Sequence, residues 1–174
     1  MAFGAKDWET YFGKKAGEEP PLPVGIDTIL DSRCPFWPRK KVRDTHLLVL
    51  VPETVDGKPF TLNLLGELIQ SPKAGSYGTK YRCYDDAVKQ ALGNLSSSRS
   101  YWVLMTRDVL PNSRGKTYED QKKLVAEHAQ RESLPYEIPR ALEAATAILL
   151  HHARTGERLQ RCSLYLHPVP REGK

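Results

Sequence analysis

Long apolar runs are missing from this chain. None approaches the ~18–20 residues that a membrane-spanning helix needs, so no membrane association is predicted. Cysteine is scarce: Cys34, Cys83 and Cys162 are odd in number, widely spaced, and form no CxxC or Cys/His cluster. That pattern argues against a disulfide framework and predicts reduced thiols in a cytoplasmic setting. The first residues show no charged-then-apolar signal, so cleaved-signal secretion is not expected, while export through an uncleaved signal stays open. Phosphate-loop spacing is also absent, because Gly115 is the only glycine near Lys116-Thr117 and GxxxxGK[ST] needs two. His151 and His152 are adjacent, which on a helix aims them about 100° apart, and neither HExxH nor a GxSxG elbow occurs. No metal and no cofactor are therefore predicted.

What the chain does have is a single domain's worth of ordinary globular sequence. Its 174 residues suit one domain able to bury roughly 70% of its unfolded surface. Apolar content of 40% and charged content of 27% are those of a soluble fold, and the net charge of +5 permits anionic partners. His46–Val51 and Tyr101–Thr106 are continuous apolar runs rich in β-formers, which predicts strands buried on both faces, the second of them central. Cys162–His167 alternates and predicts a half-buried strand near a sheet edge; Tyr81–Tyr84 predicts a short edge strand. Helices are predicted after Thr61, from Asp85 or Asp86 to Gly93, from Thr117 to about Glu132, and from near Pro139 to Gly156.

Helical crossovers between apolar strands imply an α/β fold: a small layered domain with a mostly parallel sheet of about three main strands and packed helices. Residues 1–44, broken by Glu18-Glu19-Pro20-Pro21-Leu22-Pro23, are predicted to form an extended, Pro-rich N-terminal arm packed on the body. The α/β domain then spans 45–170, with a charged tail at 171–174. Trp8, Tyr11 and Phe12 lie a helical turn apart within the arm, and Pro35-Phe36-Trp37-Pro38 is a rigid aromatic knot.

Four segments look familiar as a set: Glu19-Pro20-Pro21-Leu22-Pro23, Lys41–Leu50, Leu62–Leu68 and Tyr101–Leu110. Together they resemble an uncharacterised bacterial domain family associated with intracellular, chlamydia-like bacteria, sometimes found beside F-box or repeat modules. The resemblance covers about Trp8 to Leu166. It implies an effector-like or accessory context and carries over no activity and no catalytic residue.

Two constellations carry chemistry. The loop after Tyr101–Thr106 is dense in donors: Arg107, Asn112, Ser113, Arg114 and Lys116 lead into the helix start at Thr117, an arrangement suited to a phosphate or carboxylate. Asp108 is the candidate catalytic acid/base there. The second is the basic run Arg39, Lys40, Lys41 and Arg43, beside Phe36 and Trp37, which could stack on bases or plug the sheet edge. Cys34 sits among these cations and would be activated if exposed. The leading expectation is a non-enzymatic interaction module for a protein or a small anion. The alternatives are an enzyme acting on a phosphorylated or carboxylated substrate at the 107–116 loop, and a sequence-independent nucleic-acid binder, for which only weak association is expected.

Overall fold

A computed structural model describes residues 2–73, 75–79, 86–132, 134–159 and 165–166. In chain order the first elements are β1 (Ala2–Phe3), α1 (Ala5–Phe12), α2 (Ile26–Asp31), α3 (Val42–Thr45) and β2 (His46–Val51). There follow β3 (Thr54–Val55), β4 (Lys58–Pro59), α4 (Leu62–Gln70), α5 (Asp86–Leu92) and β5 (Tyr101–Thr106). The chain closes with α6 (Tyr118–Glu132), β6 (Tyr136–Glu137), α7 (Ala141–Thr155) and β7 (Tyr165–Leu166).

The two apolar runs form the centre of the sheet. β2 and β5 pair along their whole length, from His46 opposite Thr106 to Val51 opposite Tyr101. The strand order is β1-β2-β5-β7-β6, so β5 is the middle strand. The predicted strand at Cys162–His167 is seen as β7, one strand in from the edge; its other residues, like Tyr81–Tyr84 and the tail, lie outside the described residues.

The mixed helix and strand composition agrees with an α/β class, but the mostly parallel sheet is corrected. β1 runs parallel to β2, whereas β2–β5, β5–β7 and β7–β6 are all antiparallel. The reason lies in what an all-apolar strand reports. It reports cover on both faces, and parallel sheets are only the commonest way of achieving that. Here the cover comes from elsewhere. Successive strand side chains point to opposite faces. Tyr101 donates its hydroxyl to Glu143 Oε1 of α7 at 2.7 Å, while Trp102 donates its indole N–H to the carbonyl of Pro20 at 2.9 Å. One face is thus roofed by α7 and the other by the N-terminal segment, and Val103, Leu104 and Met105 between them are fully buried.

Residues 1–44, expected as an arm packed on the body, contribute to both sheet and core: β1 extends the sheet, and Phe3, Trp8, Phe12, Ile26, Leu30, Cys34, Phe36 and Val42 belong to the core. Trp8 is fully buried, with Phe60 edge-on at 5.1 Å and Phe12 at 5.3 Å. The helical spacing of Trp8 and Phe12 does form α1, which ends at Gly13 in the left-handed region at φ 63°. Its start is capped from a distance, by the Glu19 carboxylate on the Ala5 amide.

Local signals elsewhere act as read. Thr61 Oγ1 accepts the Leu64 amide at 3.2 Å, and Thr117 Oγ1 accepts that of Asp120 at 3.2 Å. Asp56 and Gly57, both at positive φ (49° and 74°), turn the β3–β4 hairpin. Gly156, at φ 74°, ends α7.

Candidate functional site

The site lies at the end of the sheet where β2 begins and β5 finishes. Past Thr106 the ladder continues for one more bond, with the Arg107 amide donating to Thr45 O at 2.8 Å. Arg107 Nε donates to His46 O at 3.3 Å, which fixes the guanidinium at the sheet's end. Asp108 follows, and one of its carboxylate oxygens accepts the Val109 amide at 2.7 Å.

Opposite this edge stands the aromatic knot. The Lys40 amide donates to Trp37 O at 2.8 Å and the Cys34 amide to Lys40 O at 2.8 Å, so residues 34–40 close on themselves. Phe36 is buried beneath, in ring contact with His128 at 4.9 Å, Tyr136 at 5.0 Å, Trp37 at 5.9 Å and His46 at 6.3 Å. The turn after α7 supplies a third wall. Together these segments enclose a cleft of about 440 Å³ lined by Trp37, Lys40, Asp44, Thr45, Arg107, Asp108, Arg158 and Leu159.

Three cations therefore come to one place from three separate parts of the chain: Lys40, Arg107 and Arg158. None of them takes part in an ion pair found among the described residues. Their neighbours in sequence behave otherwise. Lys41 and Arg43 both pair with Asp31, at 3.1 and 2.7 Å, and the hydrogen bond from Lys41 holds that carboxyl below its ordinary value.

Two histidines lie close to Arg107. His46 is buried and its pKa is pushed down to about 4, chiefly by loss of water, with Arg107 adding to the shift and a hydrogen bond to the Val42 carbonyl opposing it. Its Nδ1 sits 2.9 Å from Thr45 Oγ1, and its Nε2 finds no partner among the described residues. His151 is likewise held below the ordinary range, by burial first and Arg107 second, with Glu157 acting against them. Both imidazoles are thus neutral at pH 7 and add no charge of their own to the cleft.

The two predicted constellations meet here, but only in part. From the donor loop, Arg107 and Asp108 line the cleft and Asn112, Ser113, Arg114 and Lys116 do not. Ser113 is buried and donates its hydroxyl to Leu110 O at 2.9 Å, closing a turn in which Asn112 takes φ 64°. Arg114 and Lys116 are exposed. Leu110, between Asp108 and Asn112, is buried in the core, and the loop residues after it do not line the cleft. From the basic run, Lys40 alone reaches the cleft; Arg39 is exposed and does not line it. Cys34 is fully buried in the core, so the exposure that thiolate chemistry needs is missing. Cys83 and Cys162 lie outside the described residues.

Arg158, Leu159, Asp44 and Thr45 were not foreseen. Arg158 follows the glycine that stops α7, and nothing in its local sequence sets it apart from any solvated arginine. Only the return of α7 across the sheet brings it beside Arg107. Among the described residues no group of three or more His, Cys, Asp or Glu could hold a metal ion, and no helix is long and apolar enough to cross a membrane.

No protein-family model, no curated protein and no solved structure matches the chain.

Proposed function

We propose that this protein is a non-enzymatic binding module that takes a phosphate- or carboxylate-bearing ligand in the cleft between Trp37, Arg107 and Arg158. One observation carries the reading: Lys40, Arg107 and Arg158 converge there without an ion pair among the described residues. Three cations against the two carboxylates of Asp44 and Asp108 leave the cleft with a positive surplus, and charge-assisted hydrogen bonds to a bound anion are the strong kind. A role in catalysis has less behind it. Asp108 engages the backbone of its own neighbour, and the Thr45 hydroxyl, 2.9 Å from His46 Nδ1, is within hydrogen-bond reach of the Lys41 and Val42 carbonyls and so is occupied with the backbone. The setting we propose is a reducing, cytoplasmic one, in keeping with the buried free thiol of Cys34.

Thermal unfolding with inorganic phosphate, sulfate and a panel of small carboxylates tests the reading. A ligand at ~100 times its dissociation constant stabilises by ~2.7 kcal/mol. The stabilisation is expected to vanish in Arg107→Ala with Arg158→Ala and to persist in Arg114→Ala with Lys116→Ala. Loss in the second pair and not in the first would move the site back to the 107–116 loop. No shift with any anion would end the proposal.

A further inference from the structure

The cleft is larger and less uniform than a bare anion requires. Its volume of about 440 Å³ falls within the range of small-molecule sites, about 300–1,000 Å³. An inorganic phosphate would engage the cationic wall and leave the rest unfilled. That remainder has a definite chemistry. Trp37 is half-buried, and its indole is held edge-on by Phe36 at 5.9 Å and 72°. Trp8 and Trp102 are buried in the core, so Trp37 is the one tryptophan that faces the cleft. Leu159 continues the apolar surface.

The carboxylates are the most telling part. Asp44 and Asp108 line a cleft that otherwise attracts anions, and they would weaken the binding of a ligand that was only an anion. Each gives one oxygen to a backbone amide: Asp44 to Lys41, at 3.4 Å, and Asp108 to Val109, at 2.7 Å. The second oxygen of each takes no hydrogen bond found among the described residues, and so is available to a hydroxyl or amino donor. A wall of cations, a clamped indole and two spare carboxylate oxygens ask for one molecule with three kinds of group.

We propose that the ligand of this cleft is a phosphomonoester on a planar, donor-bearing aromatic body, of the size and chemistry of a nucleoside monophosphate. The proposal rests on the anion reading of the same cleft. Its phosphate meets Arg107, Arg158 and Lys40. Its ring stacks on Trp37 beside Leu159, and its hydroxyl or amino groups donate to Asp44 and Asp108.

The test uses the full chain and four probes: inorganic phosphate, ribose 5-phosphate, adenosine and adenosine 5′-monophosphate, followed by calorimetry and tryptophan fluorescence. Stacking of a base on an aromatic side chain is expected to make the nucleotide about ten-fold tighter than ribose 5-phosphate. The nucleotide should quench tryptophan emission, and ribose 5-phosphate should not. In Trp37→Leu the quench should disappear and the nucleotide should bind no better than ribose 5-phosphate, whose own affinity stays as it was. The comparison of probes on the unaltered protein needs no variant and stands even if Trp37→Leu fails to fold. A nucleotide no tighter than ribose 5-phosphate, or an advantage that survives in Trp37→Leu, overturns the proposal. If ribose 5-phosphate and phosphate bind through Arg107 and Arg158 in that case, the anion reading survives alone. If no phosphate compound binds, both fail.

Discussion

His46 shows how much one buried side chain can tie stability to pH. Its imidazole stacks against Phe36, with ring centroids 6.3 Å apart, and its folded-state pKa lies at about 4 against 6.5 for a free imidazole. Above pH 6.5 both folded and unfolded chains hold it neutral, and the full stability is present. As the pH falls from 6.5 toward 4 the unfolded chain takes up a proton that the folded chain refuses, so stability is lost across that window. A shift of this size is worth about 3 kcal/mol at most. His128 and His151, also depressed by burial, contribute to the same slope. Urea unfolding at pH 7 and pH 4.5 should therefore show a clear loss in the wild-type protein and a smaller one in His46→Gln. Equal losses in the two would mean that His46 is not the group being titrated. Glu143 is the contrasting case. It is as deeply buried but fully served, by the Tyr101 hydroxyl, the Arg140 amide at 2.7 Å and Arg140 Nε at 3.1 Å.

At the scale of elements, the N-terminal segment is the part most easily misjudged. Its prolines suggest something laid on afterwards, yet Pro20 accepts the bond from Trp102 and Trp8 fills space against Phe60. Removing residues 1–44 would uncover the face of the sheet that holds Trp102. The truncated chain is expected to lose cooperative unfolding and to bind an apolar dye, as a body stripped of one layer should. A sharp melting transition near that of the whole chain would restore the segment to the status of an arm. The same segment shows where sequence stops being informative. Strand content, the caps at Thr61 and Thr117, and the stop at Gly156 were legible because each depends on a few adjacent residues. Strand direction was not, because Val51 and Tyr101 end up side by side through contacts that no local pattern encodes. The cleft was half legible for that reason too. Arg107 and Lys40 stood in recognisable clusters, whereas Arg158 gains its meaning only from where α7 returns.

On the scale of the whole molecule, the positive charge is dispersed and partly engaged. Lys41 and Arg43 are tied to Asp31, Lys14 to Asp56 and Lys122 to Glu119. A duplex binder needs a continuous positive face, and one making ~6–10 phosphate contacts loses ~10³–10⁵ in affinity between about 50 and 200 mM salt. Association with single- or double-stranded probes should stay near the non-specific range of ~10⁻⁴–10⁻⁶ M at moderate salt, as fluorescence anisotropy would read it. Sub-micromolar binding, abolished by neutralising Arg39, Lys40, Lys41 and Arg43 together, would contradict this.

The pairing of β2 with β5 also governs how the chain must reach its native state. The two strands are neighbours with antiparallel register, yet residues 52–100 leave one and return to the other at the same end. A tight hairpin closes its loop almost for nothing. Closing one of about fifty residues costs roughly 2 kcal/mol more in chain entropy, at about 0.6 kcal/mol for each doubling of length. The central ladder is therefore a poor place to start, and its contacts give the domain a high contact order. The short-range pieces, the β3–β4 hairpin and α4, lie inside that excursion and shorten it as they form. The slow step of folding is then expected to be the meeting of His46–Val51 with Tyr101–Thr106, the same event that assembles the end of the sheet on which Arg107 is mounted, and Leu50→Ala should slow refolding in a stopped-flow measurement.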